Sequence, residues 1–356
     1  MSEIRIERVT RRFGAFAAVD DLDATFRDGE VTCLLGPSGC GKTTLMRMVA
    51  GLETPTAGRI LFDGRDVTRL SPGRRDVGMV FQYPVMYPTL TVRENIEEPL
   101  RRMGLTAAER DRRVDAMLDV LDMRPLARAT IDALDAGLRQ RVAVGRAVVR
   151  ECAIVLFDEP TTNIEVNAKL QLIRAFKAVT RRLRQTIVYV THDQTEAMTL
   201  ADRIALMKDG RIVQHAAPRA LYDRPATPFG GWFLGSPGMN FVPARLEGGR
   251  LASAILPAPV AAPPGLAAAR EISLGIRPER VALGRGPLRG VVRDRVIGIG
   301  GRPLLRVALG DRTLGVRAAA GAAAQPGEAV ALECPADALR LFADGRAVDW
   351  RADGGA

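Results

Sequence analysis

Residues Gly36 to Thr43 read GPSGCGKT and fill every fixed position of a G-x-x-x-x-G-K-[ST] loop. The chemistry of such a loop is phosphate binding. Its glycines let the backbone curl so that successive N–H groups face a β-phosphate, Lys42 would reach the β/γ oxygens and Thr43 would ligate Mg²⁺. The candidate nucleotide contacts are therefore Gly36, Pro37, Ser38, Gly39, Cys40, Gly41, Lys42, Thr43 and Thr44. Two carboxylates, Asp158 and Glu159, end the apolar run AIVLFDEP. One carboxylate for a metal and one to polarise an attacking water is a hydrolase arrangement, with Asp158 the Mg²⁺ candidate and Glu159 the water base. Gln82 ends DVGMVFQ; its amide oxygen could serve Mg²⁺ or the lytic water, or could be a solvated strand end. His192 follows TIVYVT, where it could bond a γ-phosphate, orient Glu159 or be structural. Phe13, next to Gly14, could stack on adenine or pack in a core.

These residues need a scaffold that brings strand ends together, and the chain reads as one. EIRIERV alternates as a strand, and Asp28-Gly29 forms a turn before the buried strand VTCLL. GRILFDGRDV reads as a hairpin about Asp63-Gly64. From Val92 to Arg150 the pattern turns helical: Thr106 and Glu109 make a capping box ahead of the apolar face Val114, Met117, Leu118 and Leu121. After AIVLFDEP comes a helix with Leu172, Phe176, Val179 and Leu183 on one face, then the strand TIVYV. Strands alternating with helices imply a mainly parallel sheet whose ligand crevice lies at the carboxyl ends. The phosphate loop, Gln82, Asp158, Glu159 and His192 all fall at such ends.

Near Gly235 the character changes to Ala, Gly, Pro and Arg with short alternating runs such as REISLGIRPERVAL and RPLLRVAL. These predict a small all-β, barrel-like domain in which PAPVAAPPGLAAA and AAAGAAAQPGE are loops. The chain, 356 residues with 47% hydrophobic and 26% charged content, has no apolar run long enough for a membrane span, and its charged start is unlike a signal peptide. A cytoplasmic location is expected. Cys33, Cys40, Cys152 and Cys334 lack metal-ligand spacing and are expected to be buried. The net charge of +10 raises nucleic acid as a partner, but the arginines are dispersed among 41 acidic residues and few aromatics are available to stack on bases. No nucleic-acid partner is expected. His215, after a turn at Asp209-Gly210, reads as surface.

Together these residues resemble the ATP-binding subunits of ABC transporters over the whole chain. GPSGCGKT is similar to Walker A, Phe81-Gln82 to the Q-loop, IVLFDEP to Walker B and YVTHDQTEAM to the switch-histidine segment. LGSPGMNFVPA and GIRPERVAL resemble the sugar and polyol importer branch. The resemblance implies an α/β P-loop NTPase at residues 1–236, with a RecA-like core, an antiparallel β-subdomain and a helical subdomain at about 89–150. It also implies an all-β OB-type regulatory domain at 237–356. ATP and Mg²⁺ would be the cofactors. Two transmembrane permease subunits, a second ATPase subunit and, indirectly, a periplasmic or lipid-anchored solute-binding protein would be the partners, at the cytoplasmic face of the inner membrane. A chromosome-organising ABC ATPase would share the site, but would insert long coiled coils where this chain has a compact helical segment.

The chain departs from the family at Leu134 to Leu138, LDAGL in place of LSGGQ. Asp135 replaces the serine that meets γ-phosphate in the opposite subunit, Ala136 replaces a glycine and Leu138 the glutamine. Gly137 and a helix starting near Arg139 could still present N–H groups. Glu165 stands where the family's D-loop has Asp. The altered signature looks most like the degenerate ATPase of bacterial glycerol importers and suggests a heterodimer with a paralogue that carries LSGGQ. A regulatory subunit that hydrolyses little is the alternative.

Overall fold

The structure is a computed structural model that describes residues 2–162, 164–183, 185–298 and 301–350. β1 (Ile4–Phe13) and β2 (Phe16–Phe26) pair antiparallel, with Ile4 opposite Phe26 and Phe13 opposite Phe16. Ile4 and Ile6 are buried by alternation, and irregularities at Arg8 and Asp21, both at positive φ, bring Val9 and Leu22 to buried positions beside Val19. β3 (Val31–Leu35) is buried at all five positions and leads into the phosphate loop and α1 (Lys42–Ala50). β4 (Ala57–Phe62) and β5 (Arg65–Asp66) form the expected hairpin, with Asp63 and Gly64 both at positive φ as a tight hairpin turn needs. Strands β2, β1, β4 and β5 make one antiparallel sheet in that order.

β6 (Val77–Val80) stops before Phe81, so Gln82 lies in the loop after the strand rather than at its last position. The helical segment holds α2 (Val92–Glu97), α3 (Ala107–Val120) and α4 (Ala136–Val148). The Thr106–Glu109 capping box forms, and Val114, Met117, Leu118 and Leu121 are buried. A second capping box, Thr91 with Glu94, starts α2.

β7 (Ile154–Asp158), α5 (Val166–Leu183), β8 (Thr186–Thr191), α6 (Gln194–Leu200), β9 (Arg203–Lys208) and β10 (Arg211–Ala216) complete the core. The sheet order is β10-β9-β3-β8-β7-β6, parallel except for the antiparallel edge strand β10. β3, β7 and β8 are buried throughout, as central parallel strands covered on both faces must be. Leu172 and Phe176 of α5 face inward; the side chains of Val179 and Leu183 lie outside the described residues.

His215 on β10 is a correction to the surface reading. It is half-buried with Phe26 edge-on at 6.0 Å, and burial pushes its pKa from 6.5 down to about 4, with Arg203 and Arg27 adding like-charge pressure. All four cysteines are free and buried.

By contacts the chain divides into Met1–Arg219 and Ala220–Ala356. That division precedes the change in composition near Gly235. Within the second unit the buried Arg277 guanidinium stacks on Tyr222 at 3.9 Å and donates to the carbonyls of Tyr222, Gly231 and Leu234. It thereby holds Tyr222, near the end of α7 (Pro218–Asp223), and α8 (Pro228–Phe233). That unit is otherwise antiparallel β. β11 (Asn240–Glu247), β12 (Arg250–Ser253), β13 (Val260–Ala261), β14 (Ile272–Ile276), β15 (Ala282–Ile297), β16 (Pro303–Leu309), β17 (Arg312–Arg317), β18 (Ala329–Glu333), β19 (Arg340–Ala343) and β20 (Arg346–Val348) form two sheets. Their shared core includes Leu251, Leu274, Leu305, Val316 and Leu341.

Candidate functional site

The phosphate loop bridges the end of β3 and the start of α1, so its N–H groups gather at a helix start. Gly41 has φ 101°, and a Cβ there would lie 2.2 Å from the Ala18 carbonyl oxygen. A Cβ on Gly36 would lie 2.4 Å from the Met207 oxygen, so the glycines are imposed by close backbone approach as well as by curl. Lys42 is 4% exposed, and its Nζ donates to the Gly36 and Pro37 carbonyls at 2.9 Å each, which holds the ammonium at the loop mouth. Cys40 is buried, and burial raises its thiol pKa. Its side chain offers no surface to a ligand.

A cavity of about 300 Å³ opens over Ser38, Gly39, Gly41, Lys42, Thr43 and Thr44, with Glu159, Phe13, Phe16 and Ala18 on its walls. Both rings are exposed, and the Arg11 guanidinium lies 4.7 Å over Phe13. Phe13 thus takes the flat, open place that stacking on a base needs, rather than the core place. Phe16 escaped the sequence reading. The signal was its register: in a tight hairpin, directly opposed residues share a face.

Asp158 is 6% exposed and accepts a hydrogen bond from Thr43 Oγ1 at 3.1 Å. Burial raises its pKa against the lowering effects of that bond and of Arg47, and the neighbouring Glu159 charge adds to the rise. A hydroxyl and a carboxylate side by side are hard oxygen donors, which suit Mg²⁺. Glu159 sits at φ 44°, a left-handed conformation of the kind that costs about 1–3 kcal/mol, held by its N–H to the Val190 carbonyl at 3.1 Å. The turn aims its carboxylate at His192: Oε2 lies 3.1 Å from His192 Nδ1 and accepts from Thr162 Oγ1 at 3.2 Å. Beneath them Phe157, Phe176 and Tyr189 form an aromatic cluster with centroids 5.0 to 5.9 Å apart, joining β7, α5 and β8. Such contacts contribute about 0.5–1.5 kcal/mol per pair beyond area burial.

Phe13, Ser38, Gly39, Gly41 to Thr44 and Glu159 thus share one cavity, to which Asp158 is linked through Thr43 and His192 through Glu159. Gln82 belongs neither to that cavity nor to those bonds. Gln82 lines a separate one of about 340 Å³ with Leu134, Ala136, Arg139, Gln140 and Ile164, among others. α4 starts at Ala136, three residues before the expected Arg139, because Asp135 caps it by accepting the Leu138 N–H at 2.8 Å. Ala136 and Gly137 are therefore the first helical residues, with Leu138 third.

Comparison with known proteins decides the family. Residues 19–162 match the ABC transporter family model, 235–281 the MalK OB fold domain and 274–342 the TOBE domain. The sn-glycerol-3-phosphate import ATP-binding protein UgpC 3 of Rhizobium etli is 46% identical over 257 residues, 71% of this chain and 74% of that protein. The chain belongs to the ATP-binding subunits of ABC transporters.

Two other ABC importer ATP-binding proteins support the same placement. UgpC of Cereibacter sphaeroides is 45% identical, covering 79% of each chain, and UgpC of Ruegeria is 41% identical, covering 81% of this chain and 82% of that one. Among solved structures, cbiO1 of Clostridium perfringens aligns with TM-score 0.58 at 27% identity, over 61% of this chain and 89% of that one. The ATP-binding cassette MJ0796, described as a dimer in a post-hydrolysis state with ADP and Pi, aligns with TM-score 0.54 at 28% identity, over 61% of this chain and 99% of that one. As an ABC ATP-binding subunit the chain binds ATP, couples its hydrolysis to transport and works with membrane permease subunits. The P-loop fold and the C-terminal OB-type domain are those of the family. Among the described residues no helix is long and apolar enough to cross a membrane.

Proposed function

We propose that this chain is the ATP-hydrolysing subunit of a bacterial importer of sugars or polyols, with glycerol or its phosphate ester as the solute class. It sits at the cytoplasmic face of the inner membrane beside a second ATPase subunit that carries LSGGQ, and a periplasmic or lipid-anchored binding protein delivers the solute. Three relatives named for sn-glycerol-3-phosphate import support the solute class. The observation that carries the hydrolytic role is the paired contact at adjacent strand ends: Thr43 with Asp158, and Glu159 with His192.

In this reading Phe13 stacks on adenine, and the N–H groups of the loop and Lys42 hold the β/γ-phosphates. Thr43 and Asp158 would hold Mg²⁺, which supplies positive charge beside the phosphate oxygens; Gln82, which lines a separate cavity, is left out of that set. Glu159 takes the proton of the attacking water. His192 fixes that carboxylate through Nδ1 and, being half exposed, leaves its other ring nitrogen for the γ-phosphate. The signature residues Asp135, Ala136, Gly137 and Leu138 would face the other subunit's ATP. There the Asp135 carboxylate opposes a phosphate charge by about 4 kcal/mol at 4 Å and an effective dielectric near 20. That repulsion supports an asymmetric pair in which this chain contributes a competent nucleotide site and a weak signature.

Glu159→Gln tests the catalytic assignment in the assembled transporter. Turnover is expected to fall by about 10²- to 10⁴-fold, with ATP affinity kept within a few-fold. Undiminished ATP turnover and transport in that variant would instead favour a regulatory subunit, the reading that the charged signature also suits.

A further inference from the structure

Glu196 on α6 has no exposed surface, although a buried carboxylate costs several kcal/mol unless donors surround it. Four donors do. Thr161 Oγ1 donates to Oε1 at 2.5 Å, Thr191 Oγ1 and Tyr189 OH donate to Oε2 at 2.7 and 3.0 Å, and Lys169 Nζ lies 2.7 Å from Oε1. Their places in the chain give the cluster its meaning. Thr161 follows Glu159 by two residues, in the turn closed by the Thr162 N–H to the Glu159 carbonyl. Thr191 directly precedes His192, and its Oγ1 also accepts the Asp193 N–H at 3.0 Å. Lys169 bonds Asp193, which directly follows His192, at 2.5 Å.

One carboxylate therefore grips the turn that carries Glu159 and the strand end that carries His192. The direct bond between the two backbones is the Glu159 N–H to the Val190 carbonyl at 3.1 Å, and the carboxylate adds a side-chain link at each end. His192 is about half exposed, and among the described residues the Glu159 carboxylate bonds His192 and Thr162. Their 3.1 Å separation is set by the backbone under each, and Glu159 is held in a left-handed conformation that would relax if the turn were released.

We infer that Glu196 is a positioning residue for hydrolysis, locking the Glu159 turn and the His192 strand end in mutual register through Thr161 and Thr191. This rests on the catalytic reading of Glu159 and His192. Misplacement of a reacting group by about 1 Å can cost on the order of 10²-fold in rate, so the effect belongs in kcat.

The test uses the assembled transporter with Glu196→Gln, Thr161→Val and Thr161→Ser, beside Glu159→Gln. Glu196→Gln and Thr161→Val are expected to lower kcat by about 10- to 100-fold while KM for ATP stays within about twofold, and Thr161→Ser, which keeps the hydroxyl, is expected to restore the parental kcat. Parental kcat in Thr161→Val would overturn the inference even if Glu196→Gln failed to fold. Equal losses in Thr161→Val and Thr161→Ser, or a matching rise in KM, would overturn it in favour of packing alone. If Glu159→Gln itself turned over normally, the reading of the site beneath it would fall. Loss in Glu159→Gln with parental rates in the Glu196 and Thr161 variants would sink only the positioning role.

Discussion

Asp135 caps α4 with a carboxylate where the family has a serine, and both side chains can accept a helix N–H. The fold of the helix start is therefore indifferent to the change, whereas an approaching phosphate is not. The same separation of structural from chemical effect applies at His215. Its folded pKa of about 4 lies below the ordinary 6.5, so the unfolded chain binds the extra proton first. Stability from this group is complete above pH 6.5 and is lost as pH falls from there toward 4. His215→Gln is accordingly expected to lose less melting temperature than the parent between pH 7 and pH 5; parallel curves would contradict the assignment. Lys42, Asp158, Glu159 and His192 were legible in the sequence because each lies in a contiguous motif at a strand end. Phe16, Thr161 and Glu196 were not. Their roles depend on register across a hairpin or on three strand and helix ends meeting, which no single stretch displays.

At the level of elements, α1 shows how the nucleotide loop is anchored from behind. Arg75 is buried and donates to the Met48 and Val49 carbonyls at the end of α1 at 2.7 and 2.9 Å, and to the Thr68 and Leu70 carbonyls at 2.9 Å each. It satisfies carbonyls that a helix end leaves open, with burial lowering its pKa. Arg75→Ala is expected to destabilise the chain by about 2–4 kcal/mol in urea unfolding, because buried acceptors are left unpaired. Arg75→Lys should recover only part of that, since an ammonium cannot reproduce the planar fork. A loss below about 0.5 kcal/mol would show that the helix end is secured otherwise. Helices α3 and α5 and the hairpin β4–β5 followed from caps, periodicity and turn residues. The end of β6 and the start of α4 did not: the pairing of β6 stops at Val80 opposite Phe157, one residue before its neighbour β7 ends, and a helix starts where a cap can form.

At the scale of the molecule, the two contact units join two kinds of architecture, a parallel α/β nucleotide core and an antiparallel β unit with its own core. The change in composition near Gly235 pointed to the second kind of structure. The MalK OB fold match begins at residue 235, whereas the contact unit begins earlier, at Ala220, and includes Tyr222 and Gly231, which Arg277 holds. The central claim concerns assembly: the site around Gly36 to Thr43 needs another chain's signature to turn over. Steady-state ATP turnover should therefore be compared for this chain alone, for this chain with a paralogous subunit carrying LSGGQ, and for that pair with the partner's signature serine changed to alanine. Weak turnover is expected of the chain alone, at least about tenfold more of the pair, and loss of that gain with the serine. Strong turnover by the lone chain, unaffected by the partner's serine, would contradict the central claim.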